Sequence, residues 1–209
     1  MSTPAVWGRD GAGAGSWGYF RVDVESGATV LLVRLGINAP AYAQFAPDGR
    51  AFLYTDPRRG IVSRDLASGR DVVVIPVQGA SRPGRFSLSG DGGSLAFVRV
   101  AGPDDGLMVT LEVQRPGQPP LVRARATAPD WLTLQAWTPD DAHLLYSTGR
   151  NDEPGSVWRI GVDAGESVDL RFRLLDGPNT ISLHPGGHRL AYAERILSPE
   201  LWISRLPTP

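Results

Sequence analysis

The sequence predicts an all-β chain: a β-propeller of four-stranded antiparallel blades, with about four blades present and the propeller partial and open. Three observations predict it. A turn signal recurs four times at nearly constant spacing. The strand after each turn is apolar at three successive positions. A second strand signature, usually ending in Gly, follows in each unit. No segment carries helical periodicity, and units of this length with four strands each are the mark of propeller blades.

The turn signal is clearest in Phe45-Ala46-Pro47-Asp48-Gly49-Arg50. Gly49, Gly92, Asp141 and Gly187 hold the same place in four units, at steps of 43, 49 and 46 residues. Four residues earlier stand Phe45, Leu88, Trp137 and Leu183. Three later stand Phe52, Leu95, Leu144 and Leu190, then Leu53, Ala96, Leu145 and Ala191, then Tyr54, Phe97, Tyr146 and Tyr192. Pro presets φ, Asp accepts local backbone hydrogen bonds and Gly supplies positive φ, so the triplet closes a hairpin. A strand apolar on both faces needs a neighbouring sheet on each side.

The second signature reads Tyr19-Phe20-Arg21-Val22-Asp23-Val24-Glu25-Ser26-Gly27, Ile61-Val62-Ser63-Arg64-Asp65-Leu66-Ala67-Ser68-Gly69 and Val157-Trp158-Arg159-Ile160-Gly161-Val162-Asp163-Ala164-Gly165. Val109–Gly117 is a weaker copy, and Leu201-Trp202-Ile203-Ser204-Arg205-Leu206 is the last. Each is a third strand; a fourth follows at 29–33, 71–75, 120–124 and 170–174. The expected organisation of 1–209 is one propeller domain. It has a partial blade at 5–35, with Ala5-Val6-Trp7 as a second-strand remnant, then blades at about 40–77, 82–125 and 132–175, and a C-terminal blade at 179–207.

Composition narrows function mainly by exclusion. The 209 residues are 42% hydrophobic, enough for a substantial core. A net charge of −1 gives no basic excess of the kind nucleic acid or an anionic membrane surface attracts. With no Cys, disulfides, thiolate metal sites and a cysteine nucleophile are out. All 21 basic residues are Arg, which removes Schiff-base, Walker-lysine and Ser-Lys chemistry. No signal peptide is visible in this chain, and no apolar run approaches the roughly 18 residues of a membrane span. The chain reads as soluble.

The stretches FAPDGRAFLYTD…IVSRDLASG and WTPDDAHLLYSTG…SVWRIGVDAG resemble the WD40-like repeat of the TolB and tricorn β-propellers, over residues 17–206. The turns Ser89-Gly90-Asp91-Gly92-Gly93 and His184-Pro185-Gly186-Gly187 depart from that pattern. Pairing of the terminal strands would close a small four-bladed ring; TolB-like rings usually have more blades, so the resemblance favours the C-terminal part of a larger propeller, in the periplasm or cytoplasm. It also implies a non-catalytic scaffold for a protein or peptide partner. The alternative it implies is the propeller portion of a prolyl-oligopeptidase-like peptidase, or of a sensor or transcription regulator, with the effector domain absent from this chain. An open propeller would also expose apolar end faces, a route to self-association.

Candidate chemical motifs have simpler readings. Gly13-Ala14-Gly15-Ser16-Trp17-Gly18 fits G-x-G-x-x-G but precedes a strand-like run instead of opening a helix, so it reads as a loop. His184 and His188 flank a Pro-Gly-Gly turn, and His143 lies in another blade, so no three converge on a metal. Asp48, Asp91 and Asp140 read as turn aspartates satisfying local backbone. Asp104-Asp105 and Asn151-Asp152-Glu153 read as loop tips. No G-x-S-x-G elbow occurs. Trp17, Trp131, Trp137, Trp158 and Trp202 read as packing between blades, with Trp131 nearest the surface. The expectation is therefore no enzyme activity, no catalytic, cofactor-binding or metal residue, no cofactor, no nucleic-acid contact and no membrane insertion.

Overall fold

The computed structural model describes residues 5–9, 16–36, 42–103, 106–150, 153–174, 181–184, 186 and 189–192. All seventeen elements within them are strands. The first sheet holds β1 (Ala5–Arg9), β2 (Ser16–Val22) and β3 (Thr29–Gly36); the second holds β4 (Ala43–Phe45), β5 (Ala51–Asp56), β6 (Gly60–Asp65) and β7 (Asp71–Pro76). The third holds β8 (Arg82–Leu88), β9 (Leu95–Ala101), β10 (Met108–Gln114) and β11 (Leu121–Thr127). The fourth holds β12 (Asp130–Trp137), β13 (His143–Arg150), β14 (Gly155–Gly161) and β15 (Val168–Leu174), and a last pair holds β16 (Ile181–Leu183) and β17 (Leu190–Tyr192). Pairing is antiparallel between chain neighbours throughout, as a meander of hairpins requires. The inner strands β4, β8, β12 and β16 lie side by side, so the sheets radiate as blades in an open propeller. Ala5-Val6-Trp7 does form a strand, with Trp7 opposite Tyr19. The third strand expected in the C-terminal unit, 201–206, lies outside the described residues.

β11 runs to Thr127 and β12 starts at Asp130, leaving two residues between sheets. The extra pairing, Asp130 opposite Arg150, is polar and carries an ion pair at 3.0 Å, so no apolar pattern announces it.

The second strands β5, β9 and β13 are buried on both faces. Phe52 and Tyr54 are inaccessible and pack with Tyr19, Val33 and Leu35 of the first sheet. Leu53, between them, points the other way and packs with Phe86, Leu95 and Phe97 of the third. Alternation across a strand is what divides one run of three between two interfaces. A further cluster joins Leu111 and Val113 of the third sheet to Leu132, Leu134 and Leu144 of the fourth. Burying each such side chain stabilises the fold by about 2 kcal/mol, so the interfaces between sheets carry the core.

The turns follow their expected chemistry. Gly49, Gly92 and Asp141 have φ of 68°, 72° and 54°. Each donates its N–H three residues back, to Ala46, Ser89 and Thr138. Ala46, Ser89, Thr138 and His184 each donate to the carbonyl five residues on, so the fourth unit closes the same way. Asp48 accepts from the Arg50 N–H at 2.9 Å, Asp91 from Gly93 at 2.7 Å and Asp140 from Ala142 at 3.1 Å. Replacing Asp48 with Ala is expected to cost on the order of 1 kcal/mol in chemical denaturation with the fold retained. A loss several times larger would mean that Asp48 does more than close its turn.

Each pairing of a third strand with a fourth contains an irregularity. The register shifts after Tyr19 in the first sheet, Ile61 in the second, Leu111 in the third and Ser156 in the fourth. Leu32, Val74 and Arg123 are the extra residues on β3, β7 and β11. On β15 the irregular stretch includes Arg171, at φ 56°.

Candidate functional site

The inner strands are joined to one another by polar staples that local sequence patterns do not show. Gln44 on β4 accepts the Leu88 N–H of β8 at 3.1 Å. The Trp137 indole on β12 donates to the Ser87 carbonyl at 2.9 Å. Gln135, the bulged residue of β12, accepts the Ile181 N–H at 3.1 Å and donates to Ser147 at 2.7 Å. Thr55, buried on β5, donates to the Gly84 carbonyl at 3.1 Å. Each staple satisfies a backbone group that sheet pairing leaves free on an inner edge. The inner strands are thereby tied to one another side by side.

The turns of successive blades also touch. Pro47 lies against Gly92, where an added Cβ would meet the ring at 3.3 Å. The Asp141 carboxylate accepts the N–H groups of Gly90 at 2.7 Å and Asp91 at 3.1 Å. Asp141 thus holds a left-handed backbone that favours Gly while its side chain ties two blades. Asp141→Gly is expected to be milder than Asp141→Ala, because Gly recovers backbone strain as it loses the tie. The gap should be about 1 kcal/mol in chemical denaturation; equal losses would remove the strain term.

Two of the clefts between sheets combine apolar and polar lining. The first, about 490 Å³, lies between the second and third sheets. Ala46, Ala51, Leu53, Leu88 and Leu95 form its apolar floor, and Ser63, Gln114 and Arg115 its rim. The second, about 480 Å³, follows the inner strands past Gln135, Trp137, Ile181 and His184. Arg115 also pairs with Asp163 of the fourth sheet, and Arg123 donates to the Gly161 carbonyl at 2.8 Å, so the rim is tied to its neighbour.

The densest polar cluster stands within the second sheet. Asp71 accepts from Arg64 at 2.7 Å, Arg59 at 2.9 Å and the Tyr54 hydroxyl at 2.9 Å. Arg64 reaches the Leu32 carbonyl of the first sheet as well. Burial would raise the Asp71 carboxyl, but its Arg64, Arg59 and Tyr54 donors outweigh burial and hold it at about 2. Burial, reinforced by the hydrogen bond to Asp71, pushes the Tyr54 phenol up to about 12. With its acceptor sites taken by donors of the same fold, the cluster is a structural brace.

The residues singled out in the sequence do not converge. His143 and His184 lie in different units, and His184 accepts the Gly186 N–H at 3.0 Å. No group of three His, Asp or Glu side chains suited to a metal occurs among the described residues. His188, Gly13, Ala14, Gly15, Asp104, Asp105, Asn151, Asp152 and Trp202 lie outside them. Ser16-Trp17-Gly18 is on β2, and Glu153 is exposed. Trp137 and Trp158 pack in the core between the third and fourth sheets, and the Trp158 indole donates to Thr148 at 2.9 Å. Trp131 is partly exposed and lies over Gly149 and Gly155, where an added Cβ would meet the ring at 2.5 and 2.7 Å. Among the described residues no helix is long and apolar enough to cross a membrane.

TolB from Acinetobacter baumannii superposes with a TM-score of 0.67 at 18% identity, over 91% of this chain and 46% of that one. The fold is that of a TolB-type β-propeller. This chain spans less than half the length of that TolB chain. A nidogen/laminin complex superposes with a TM-score of 0.62 at 15% identity, over 92% of this chain and 72% of that one. The tricorn protease gives 0.54 at 15% identity, over 83% of this chain and 22% of that one. No protein-family model and no curated protein sequence matches the chain. At these identities the likeness to a TolB-type propeller is one of fold.

Proposed function

We propose that this chain is a non-catalytic TolB-type scaffold that binds a protein or peptide partner. The cleft between the second and third sheets carries the reading. Its apolar floor is fixed by strand residues on two sides, and its rim offers Ser63, Gln114 and Arg115. Such a site takes an apolar side chain and hydrogen-bonds the backbone around it. The nidogen/laminin likeness supports the reading, since a related fold is there part of a protein complex.

The test is affinity capture of partners from the source organism, comparing the chain with its Ser63→Arg variant, which fills the rim without touching the floor. Loss of a specific partner on substitution is expected. Recovery of no partner, with hydrolase activity in the purified chain, would overturn the reading. The tricorn likeness keeps a second reading in play, the propeller portion of a peptidase. For that reading the captured partner would be a catalytic domain.

A further inference from the structure

The half-buried and buried arginines of this fold are almost all spoken for. Arg64 has Asp71, Arg99 has Glu112, and Arg123 has the carbonyls of Gly161 and Gly165. Arg85 is the exception. It lies on the inner strand β8, is only partly exposed, and its guanidinium makes no hydrogen bond or ion pair with any described residue. Burial lowers its pKa, and the nearby group that counters this is the phenol of Tyr42, just before β4.

Its position is built. The register of β8 against β9 shifts between Pro83 and Phe86, so Gly84 and Arg85 form a bulge. A bulge re-aims the side chain it carries. This one is fastened by the buried Thr55 hydroxyl on the Gly84 carbonyl. No acidic residue occurs on β4, and the inner strands of the third and fourth sheets offer one carboxylate, Asp130, which is already paired with Arg150. Among the described residues, the guanidinium on this inner strand is thus partly desolvated and has no counter-charge. Leaving a partly desolvated cation in that state is costly, and a bidentate carboxylate relieves it. A lone guanidinium suits a monoanion; a phosphate dianion would call for further positive groups.

We propose that Arg85, with Tyr42 beside it, binds the carboxylate of an Asp or Glu side chain on a protein segment entering along the inner strands. This rests on the scaffold reading and names the chemistry of its partner. The test is selection from a random displayed-peptide library on the chain and, separately, on Arg85→Gln, each first checked for an unchanged thermal transition. Peptides enriched on the unsubstituted chain should share an Asp or Glu at a fixed position. Arg85→Gln, and the matching Glu→Gln or Asp→Asn in the peptide, should each weaken binding at least tenfold and should not add. Arg85→Lys, which keeps charge without the fork, should fall between. Selected peptides with no shared acid, or bound equally by both proteins, would overturn the role of Arg85 and leave the scaffold reading standing. Failure to enrich any peptide on either protein would count against the scaffold reading and the proposal together. Binding of inorganic phosphate by the chain in place of acidic peptides would overturn the choice of ligand.

Discussion

Replacing Tyr54 with Ala is expected to destabilise the fold by about 4 kcal/mol, the range for losing a large aromatic from a core. The ring is inaccessible to solvent, stacks on Phe52 at 6.1 Å and lies under the Arg59 guanidinium at 5.8 Å. Tyr54→Phe separates the hydroxyl from the ring and should cost about 1 kcal/mol. The pH profile gives a second handle. The Asp71 carboxyl is held at about 2, so its contribution is present above the unfolded carboxylate pKa, near 4, and is lost as pH falls through about 2. The Tyr54 phenol is raised to about 12, so its contribution is complete below the unfolded pKa, near 10, and is lost as pH rises through about 12. In urea titrations across pH, Tyr54→Phe should thus erase the wild-type advantage at neutral pH and converge with wild type in strong alkali. A constant gap into strong alkali would show that the hydroxyl is not the titrating element.

Glu112→Ala is expected to cost about 3–5 kcal/mol, because it strands a buried cation. Arg99 holds Glu112 at 3.0 Å, with side-chain exposures of 11% and 9%, and Thr110 donates to the same carboxylate at 2.7 Å. The guanidinium stacks over Phe97 at 5.1 Å, and its Nη1 is buried with no partner. The site therefore has a counter-charge and little else to spare. Removing both charges, as Arg99→Met with Glu112→Leu, should recover most of the loss. Chemical denaturation of the single and double variants decides it. A double variant no more stable than Glu112→Ala would show that the pair itself ties β9 to β10 within the third sheet.

The turn-centred architecture was readable because its causes are local. Pro47, Asp48 and Gly49 act within four residues, and Phe52, Leu53 and Tyr54 declare two buried faces within three. Even Asp141 could be placed at its turn from spacing. Its reach to Gly90 and Asp91 could not, since that contact spans 50 residues and depends on how blades stack. Gln44 and Gln135 were equally silent. They act across 44 and 46 residues, and Gln135 does so from a bulge that breaks the repeat. Arg85 is hidden for a different reason: its character lies in what the neighbouring inner strands fail to supply, and no residue pattern along the chain reports that.

The repeated register shifts in the fourth strands have a consequence for solubility. Those strands are sheet edges, and they show solvent Val30, Val72, Val73, Leu121 and Val168, side chains that invite another chain to lie alongside. Many proteins guard such edges with Lys, which this sequence lacks. Here Leu32, Val74 and Arg123 interrupt the row of donors and acceptors, and the positive φ of Arg171 does the same on β15. A foreign strand laid along β7 finds regular partners on only one side of Val74 before the geometry turns away. The edges are thus interrupted by backbone shape, in addition to the charge that Arg125, Asp169 and Arg173 bring to β11 and β15.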